Sequence, residues 1–276
     1  MKAIQCHKNC FNCFQEFDRT KELNGATKKA TIKKIPTSSK KVAKDLCPNT
    51  KISLKERSQI LATHNKFRSE LAAGRVRTKD NIMPQGADIR KLKWDCELER
   101  TAQKWAELCQ WRHSDESFRN HKGENLYKVN QNFPVNRIRE AMQKNFIAGH
   151  MKRAAQAWWD EMAWFETYKI GCGMKTDCID YSNPLLKHML YVVCHYDPRG
   201  NTLNEPIYEV GKPCSKCKRY PRSKCEKNLC AGGGPAVYCK DYYGNCEKRY
   251  CSYTFDARFA EDMKKHCNKT CGYCTD

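Results

Sequence analysis

The sequence predicts an α+β layered domain. Three observations carry the prediction: three stretches with apolar residues at helical spacing, two β-rich stretches bounded by Gly and Pro, and cysteine groups of even size through the centre and C-terminus.

The first helix opens on Ser53-Leu54-Lys55-Glu56, a capping box in which each side chain satisfies an orphan amide. Ile60, Leu61, His64, Phe67 and Leu71 follow at helical spacing, and Gly74 is a stop. The second helix starts near Asp95 and repeats apolar residues at Leu98, Ala102, Trp105, Ala106 and Cys109. The third runs from about Ile138 to Met162 and ends in AAQAWWDEM. Residues 167–174 (TYKIGCGM) and 189–196 (MLYVVCHY) read as strands, and Asp197-Pro198-Arg199-Gly200-Asn201 as a turn. The central 164 residues, 47–210, are enough for one core.

The chain has 276 residues and a net charge of +20. The centre is close to balanced: 1–46 carry +7, 47–210 carry +6 and 211–276 carry +7. No run of about 18 apolar residues occurs, which excludes a transmembrane helix. Nineteen cysteines argue for an oxidising compartment. The first 30 residues lack the apolar core of a signal peptide. Residues 28–44 have no periodicity and read as part of a solvated basic linker.

The cysteines fall into groups of three, six, four and six. Cys214, Cys217, Cys225 and Cys230 fit either two disulfides or a zinc site, and the C-x4-C half ranks zinc well below disulfides. Neither an H-E-x-x-H nor a G-x-S-x-G signature is present.

LATHNKFRSELAAG (61–74), KLKWDCELERTAQKWAELCQWRHS (91–114), GENLY (123–127), AAQAWWDEM (154–162), ETYKIGCGM (166–174) and YVVCHYDPRGN (191–201), in that order, resemble the CAP superfamily of cysteine-rich secretory, venom-allergen-like and pathogenesis-related proteins. The resemblance covers about residues 47–210 and implies a three-layer αβα sandwich. It also implies a cleft of two His and two Glu that holds a divalent metal in some members. His113, Glu124 and Glu161 match three of the four. The second His belongs to a GHYTQ-type segment that is absent here, and His150 does not match it by motif. The set expected is therefore an incomplete tetrad with no cofactor, zinc being restored only with the missing segment.

Residues 211–231 resemble the hinge that follows the CAP domain, which implies Cys214–Cys225 and Cys217–Cys230. Residues 239–274 resemble a ShK toxin-like (ShKT) domain, which implies Cys239–Cys274, Cys246–Cys267 and Cys251–Cys271. Within the CAP region the resemblance implies Cys172–Cys194 and Cys47–Cys109, with Cys96–Cys178 as the further candidate. Glu261-Asp262 stands where the toxins carry a Lys-Tyr dyad, which speaks against channel block. Asn268-Lys269-Thr270 is the one glycosylation sequon. Cys6, Cys10 and Cys13 repeat the spacing of Cys267, Cys271 and Cys274. Residues 1–13 are accordingly expected to be the remnant of an upstream ShKT module, with these three cysteines unpaired, and 14–46 a linker.

The function expected is that of a secreted, non-enzymatic binding protein with no catalytic residues. Its partner would be an extracellular protein, a lipid or sterol, or a glycosaminoglycan, and no specific nucleic acid. The alternatives are a metal-dependent hydrolase using His113 with Glu124 or Glu161, and an ion-channel-modulating toxin-like protein.

Overall fold

The computed structural model describes residue 47 and residues 51–78, 81–137, 140–158, 163–202, 204–236 and 246–251, with 258, 259, 263, 266, 267 and 269–271. Cys6, Cys10, Cys13, Cys239, Cys274, Glu161, the Glu261-Asp262 position and Asn268 lie outside the described residues.

Helix α1 (Leu54–Ala72) begins where the capping box predicts: Ser53 accepts from the Glu56 amide, and Glu56 accepts from the Ser53 amide at 2.7 Å. Helix α2 (Cys96–Glu107) is capped by Asp95, whose carboxylate accepts from the amides of Glu97 and Leu98. Helix α3 (Glu140–Ala157) occupies the third periodic stretch.

Four strands form the sheet: β1 (Lys93–Trp94), β2 (Gly123–Gln131), β3 (Lys169–Ile179) and β4 (His188–Asp197). Their order is β1-β3-β4-β2, with β1 parallel to β3 and the other pairs antiparallel. Strand alternation assigns β4 to two cores at once. Met189, Tyr191 and Val193 pack with Ala102, Trp105 and Ala106 of α2. Leu190, Val192, Cys194 and Tyr196 pack on the opposite face with residues of α1 and α3, among them Ile60, Leu71 and Met151. The result is the three-layer αβα sandwich.

Helix α2 lies directly on the β3 backbone. A Cβ on Gly171 would fall 2.1 Å from the Glu99 amide nitrogen, and one on Gly173 would fall 2.3 Å from Gln103 Cα. The glycines of KIGCGM are therefore the contact surface for the helix. Beyond the short β1, the Gln103 amide takes over as a partner of β3, accepting from the Met174 N–H and donating to the Met174 carbonyl at 3.0 Å each.

Two arginines of α1 are buried. Arg57 pairs with Glu99 of α2 at 2.9 Å. Arg68 is fully buried and donates to the carbonyls of Arg90, Trp164, Phe165 and Thr167 at 2.8, 2.9, 3.3 and 3.0 Å. It ties α1 to the loops that enter the sheet.

The disulfides correct part of the expected pairing. Cys47 is bridged to Cys96 and Cys109 to Cys178, not Cys47 to Cys109 or Cys96 to Cys178. Cys96 and Cys109 stand at opposite ends of α2, about 20 Å apart at 1.5 Å per residue. Cys47 sits at the α2 N-terminus, where Arg57 donates to its carbonyl, and the Cys178 sulfur lies beside the Ala106 carbonyl near the other end. The bridged Cα atoms are 5.3 and 5.4 Å apart, so neither sulfur of α2 can reach the other's partner. Cys172 is bridged to Cys194 across β3 and β4.

Residues 211–231 hold two bridges, Cys214–Cys225 and Cys217–Cys230, and a hairpin of β5 (Lys224–Glu226) and β6 (Leu229–Ala231). Those bridges use all four cysteines of the zinc alternative. The segment docks on the sandwich. Cys230 donates to the Ile89 carbonyl, and Lys91 donates to the Cys230 carbonyl, each at 2.9 Å. Arg219 pairs with the buried Asp88 at 2.7 Å, while Arg90 stacks between the rings of Tyr168 and Tyr220. Further on, Cys246 is bridged to Cys267 and Cys251 to Cys271.

Candidate functional site

Residues directly opposite in an antiparallel pair project to the same face. Glu124 of β2 is opposite His195 of β4, on the face that carries α2. His195 Nε2 lies 3.0 Å from Glu124 Oε2, and its Nδ1 lies 2.8 Å from the Thr101 hydroxyl of α2. That reach depends on α2 resting on Gly171, which itself pairs with His195.

The loop after α2 supplies the remaining groups. The Cys109–Cys178 bridge holds its base. Trp105 Nε1 donates to the Arg112 carbonyl at 3.0 Å, and the Tyr191 hydroxyl donates to the Gln110 carbonyl at 2.9 Å. Ser114 then donates to Glu124 twice, from its amide to Oε1 at 2.8 Å and from its hydroxyl to Oε2 at 2.7 Å. His113 Nδ1 lies 2.8 Å from Oε1. A carboxylate only accepts, so His113 carries its proton on Nδ1 and His195 on Nε2. In that tautomer His195 Nδ1 is an acceptor facing the Thr101 hydroxyl, whose single proton is shared between it and the Leu98 carbonyl at 3.1 Å.

Glu124 thus receives four hydrogen bonds with its side chain 1% exposed. Burial alone would push its acidity down. The donors His195, Ser114 and His113 outweigh burial and hold the carboxyl at a pKa of about 2. His113 is different: its side chain is 65% exposed, and its Nε2 edge faces outward from this contact.

Of the incomplete tetrad expected here, His113 and Glu124 are described and are bonded to each other, while Glu161 lies outside the described residues. Both Glu124 oxygens are committed to donors of the chain itself. His195 uses both ring nitrogens, on Glu124 and Thr101. Among the described residues, which do not include Glu161, no three His, Cys, Asp or Glu side chains are grouped so as to hold a metal ion. His113 and Glu124 are brought together by the fold, but as donor and acceptor. His150 stands across the sheet, buried beside Tyr127 and Phe146, where burial lowers its pKa.

His195 is the residue that sequence reasoning missed. Its signal lay in YVVCHY, where strand alternation puts it in line with Tyr191 and Val193. Recognising 123–131 as a partner strand would have set it opposite Glu124.

The chain is similar to known proteins over much of its length. The family model of the cysteine-rich secretory protein (CAP) family matches residues 61–196. Ancylostoma secreted protein of Ancylostoma caninum is 31% identical over 205 residues, covering 67% of this chain and 46% of that protein. Scoloptoxin SSD976 of Scolopendra dehaani is 30% identical over 184 residues, covering 61% of this chain and 80% of that protein. The chain spans about half the length, 46% and 56%, of the Ancylostoma protein and of Venom allergen 5 of Tityus serrulatus. Among solved structures, BmVAL-1 is 32% identical with a TM-score of 0.55, covering 68% of this chain and 99% of its own. NaASP2, crystallised with Zn2+, is 28% identical with a TM-score of 0.51, covering 67% of this chain and 99% of its own.

Proposed function

Because this chain belongs to the CAP family of cysteine-rich secretory proteins, we propose that it is a secreted binding protein that acts without catalysis and without a bound metal. The observation that carries this reading is the commitment of Glu124. A general base must be free to take a proton near neutral pH. A carboxylate held at about 2 by four donors is a poor base, and it has no lone pair left for an ion. His195 cannot substitute, since it is fully buried and bonded at both nitrogens. The buried triad of Glu124, His195 and Ser114 therefore fastens the loop after α2 to the sheet.

Secretion is supported by the relatives' names and by the disulfides, which persist in oxidising compartments. No helix among the described residues is long and apolar enough to cross a membrane. The Cys246–Cys267 and Cys251–Cys271 bridges support a C-terminal module of ShK toxin-like type. The charge of +20 supports an anionic extracellular partner such as a glycosaminoglycan, and retention on heparin resin above physiological salt is the result expected.

Calorimetric titration with zinc separates binding from metal chemistry. The result expected is that wild-type and His113→Ala proteins give the same isotherm. A submicromolar site present in the wild type and abolished by His113→Ala would overturn the proposal and restore the hydrolase alternative.

A further inference from the structure

The loop joining β3 to β4 presents its apolar side chains to solvent. Tyr181 is 89% exposed, Leu185 84% and Leu186 41%. Phe133, 43% exposed, lies at the same end of the sheet, because Gln131 ends β2 opposite His188 at the start of β4.

Several polar groups of this loop hydrogen-bond to one another and to β2. Asp180 accepts from the Ser182 hydroxyl, the Ser182 amide, Lys128 and Asn130. Asn130 also donates to the Leu186 carbonyl, and Asn183 accepts from the Leu186 amide. The Asp180 amide donates to the Lys187 carbonyl at 2.8 Å. The tip is therefore a braced turn, and its leucines contribute nothing to the core. Exposed apolar side chains gathered in one braced loop mark an interaction surface.

Charge selects the partner. Asp180 is paired with Lys128 and Asp177 with Lys175, so the nearby acids are neutralised. Lys187 in the loop and Arg137 in the turn after Phe133 are exposed and engaged in no ion pair among the described residues. An apolar tip with the unneutralised Lys187 next to Leu186, Arg137 four residues beyond Phe133 and a tyrosine among the leucines matches the water–acyl boundary of an anionic bilayer.

We propose that the β3–β4 tip docks the protein onto an anionic lipid bilayer, with Tyr181, Leu185 and Leu186 entering the headgroup–acyl boundary and Lys187 and Arg137 meeting lipid phosphates. This surface is separate from the Glu124 site and stands whether or not that site binds a metal.

The test uses the full chain and phosphatidylcholine vesicles with about 30% phosphatidylserine. The basic flanks will also attract such vesicles, so the assay must report on the tip itself. Tyr181→Trp should show tryptophan emission quenched by bromolipid beyond that of the wild type. Leu185→Ser/Leu186→Ser should bind about tenfold more weakly at about 0.5 M salt, where the flanking charges are screened. Circular dichroism checks that the exposed substitutions leave the fold intact. Absence of extra quenching in vesicle-bound Tyr181→Trp would overturn the proposal. So would equal sedimentation of wild type and double variant, or a wild-type dimer that the double variant dissolves, which would make the tip a self-association surface.

Discussion

Replacing Glu124 by Gln should flatten the acid branch of the stability curve. In the folded chain the carboxyl titrates at about 2, against an ordinary value of 4.5. The depressed value means that its stabilisation is fully present above pH 4.5 and is lost as pH falls towards 2. A shift of roughly two and a half units at 1.36 kcal/mol each gives about 3 kcal/mol, for a side chain that water does not reach. At neutral pH the glutamine keeps one acceptor oxygen and turns an N–H2 group towards donors, which costs about 2–4 kcal/mol. The assay is urea unfolding followed by tryptophan fluorescence from pH 7 to 2, with disulfides intact. The gap between wild type and Glu124→Gln should close by about 3 kcal/mol between pH 4.5 and 2. Asp88, raised by burial to about 6, favours the folded chain at low pH and is lost as a stabiliser as pH rises through that value. It is common to both proteins and cancels in the difference. A gap that stays constant over the whole range would refute the idea that the four donors hold Glu124 ionised.

Arg68→Met should destabilise the chain by about 3–5 kcal/mol in the same urea assay, because four buried carbonyls lose their donor. Peptide mapping of the unreduced protein should recover Cys47 with Cys96 and Cys109 with Cys178; a Cys47–Cys109 peptide would contradict the packing of α2. Arg219→Ala should strip Asp88 of its ion pair and loosen the docked segment, read as faster limited proteolysis within 211–231 while the sandwich survives. His195→Ala should release the loop holding His113 and Ser114, read as faster amide exchange there, and Thr101→Val should reproduce part of the effect.

The elements with strong local signals were legible. Ser53 and Asp95 are caps because their side chains reach amides two or three residues away, an interaction complete within one turn. Strand β4 was legible because both its faces are apolar. Strand β2 was not: GENLYKVNQ mixes Lys, Asn and Gln with its apolar residues, so its membership of the sheet rests on register with β4 rather than on its own pattern. Arg68 was not singled out in the sequence, since an arginine carries no apolar signal. It is buried because the chain brings four carbonyls from residues 90–167 around it.

Sequence alone determined the family, the order of helices and main strands, the positive charge and the dependence on disulfides. Those properties are local or compositional. Tertiary structure decided which sulfurs meet, that Glu124 is consumed by His195 and Ser114, and that the β3–β4 tip faces solvent. Each of these joins groups far apart in the chain, and spacing along a sequence does not encode distance in space. The length of α2, about 18 Å, keeps Cys96 and Cys109 at opposite ends, and strand register sets His195 against Glu124.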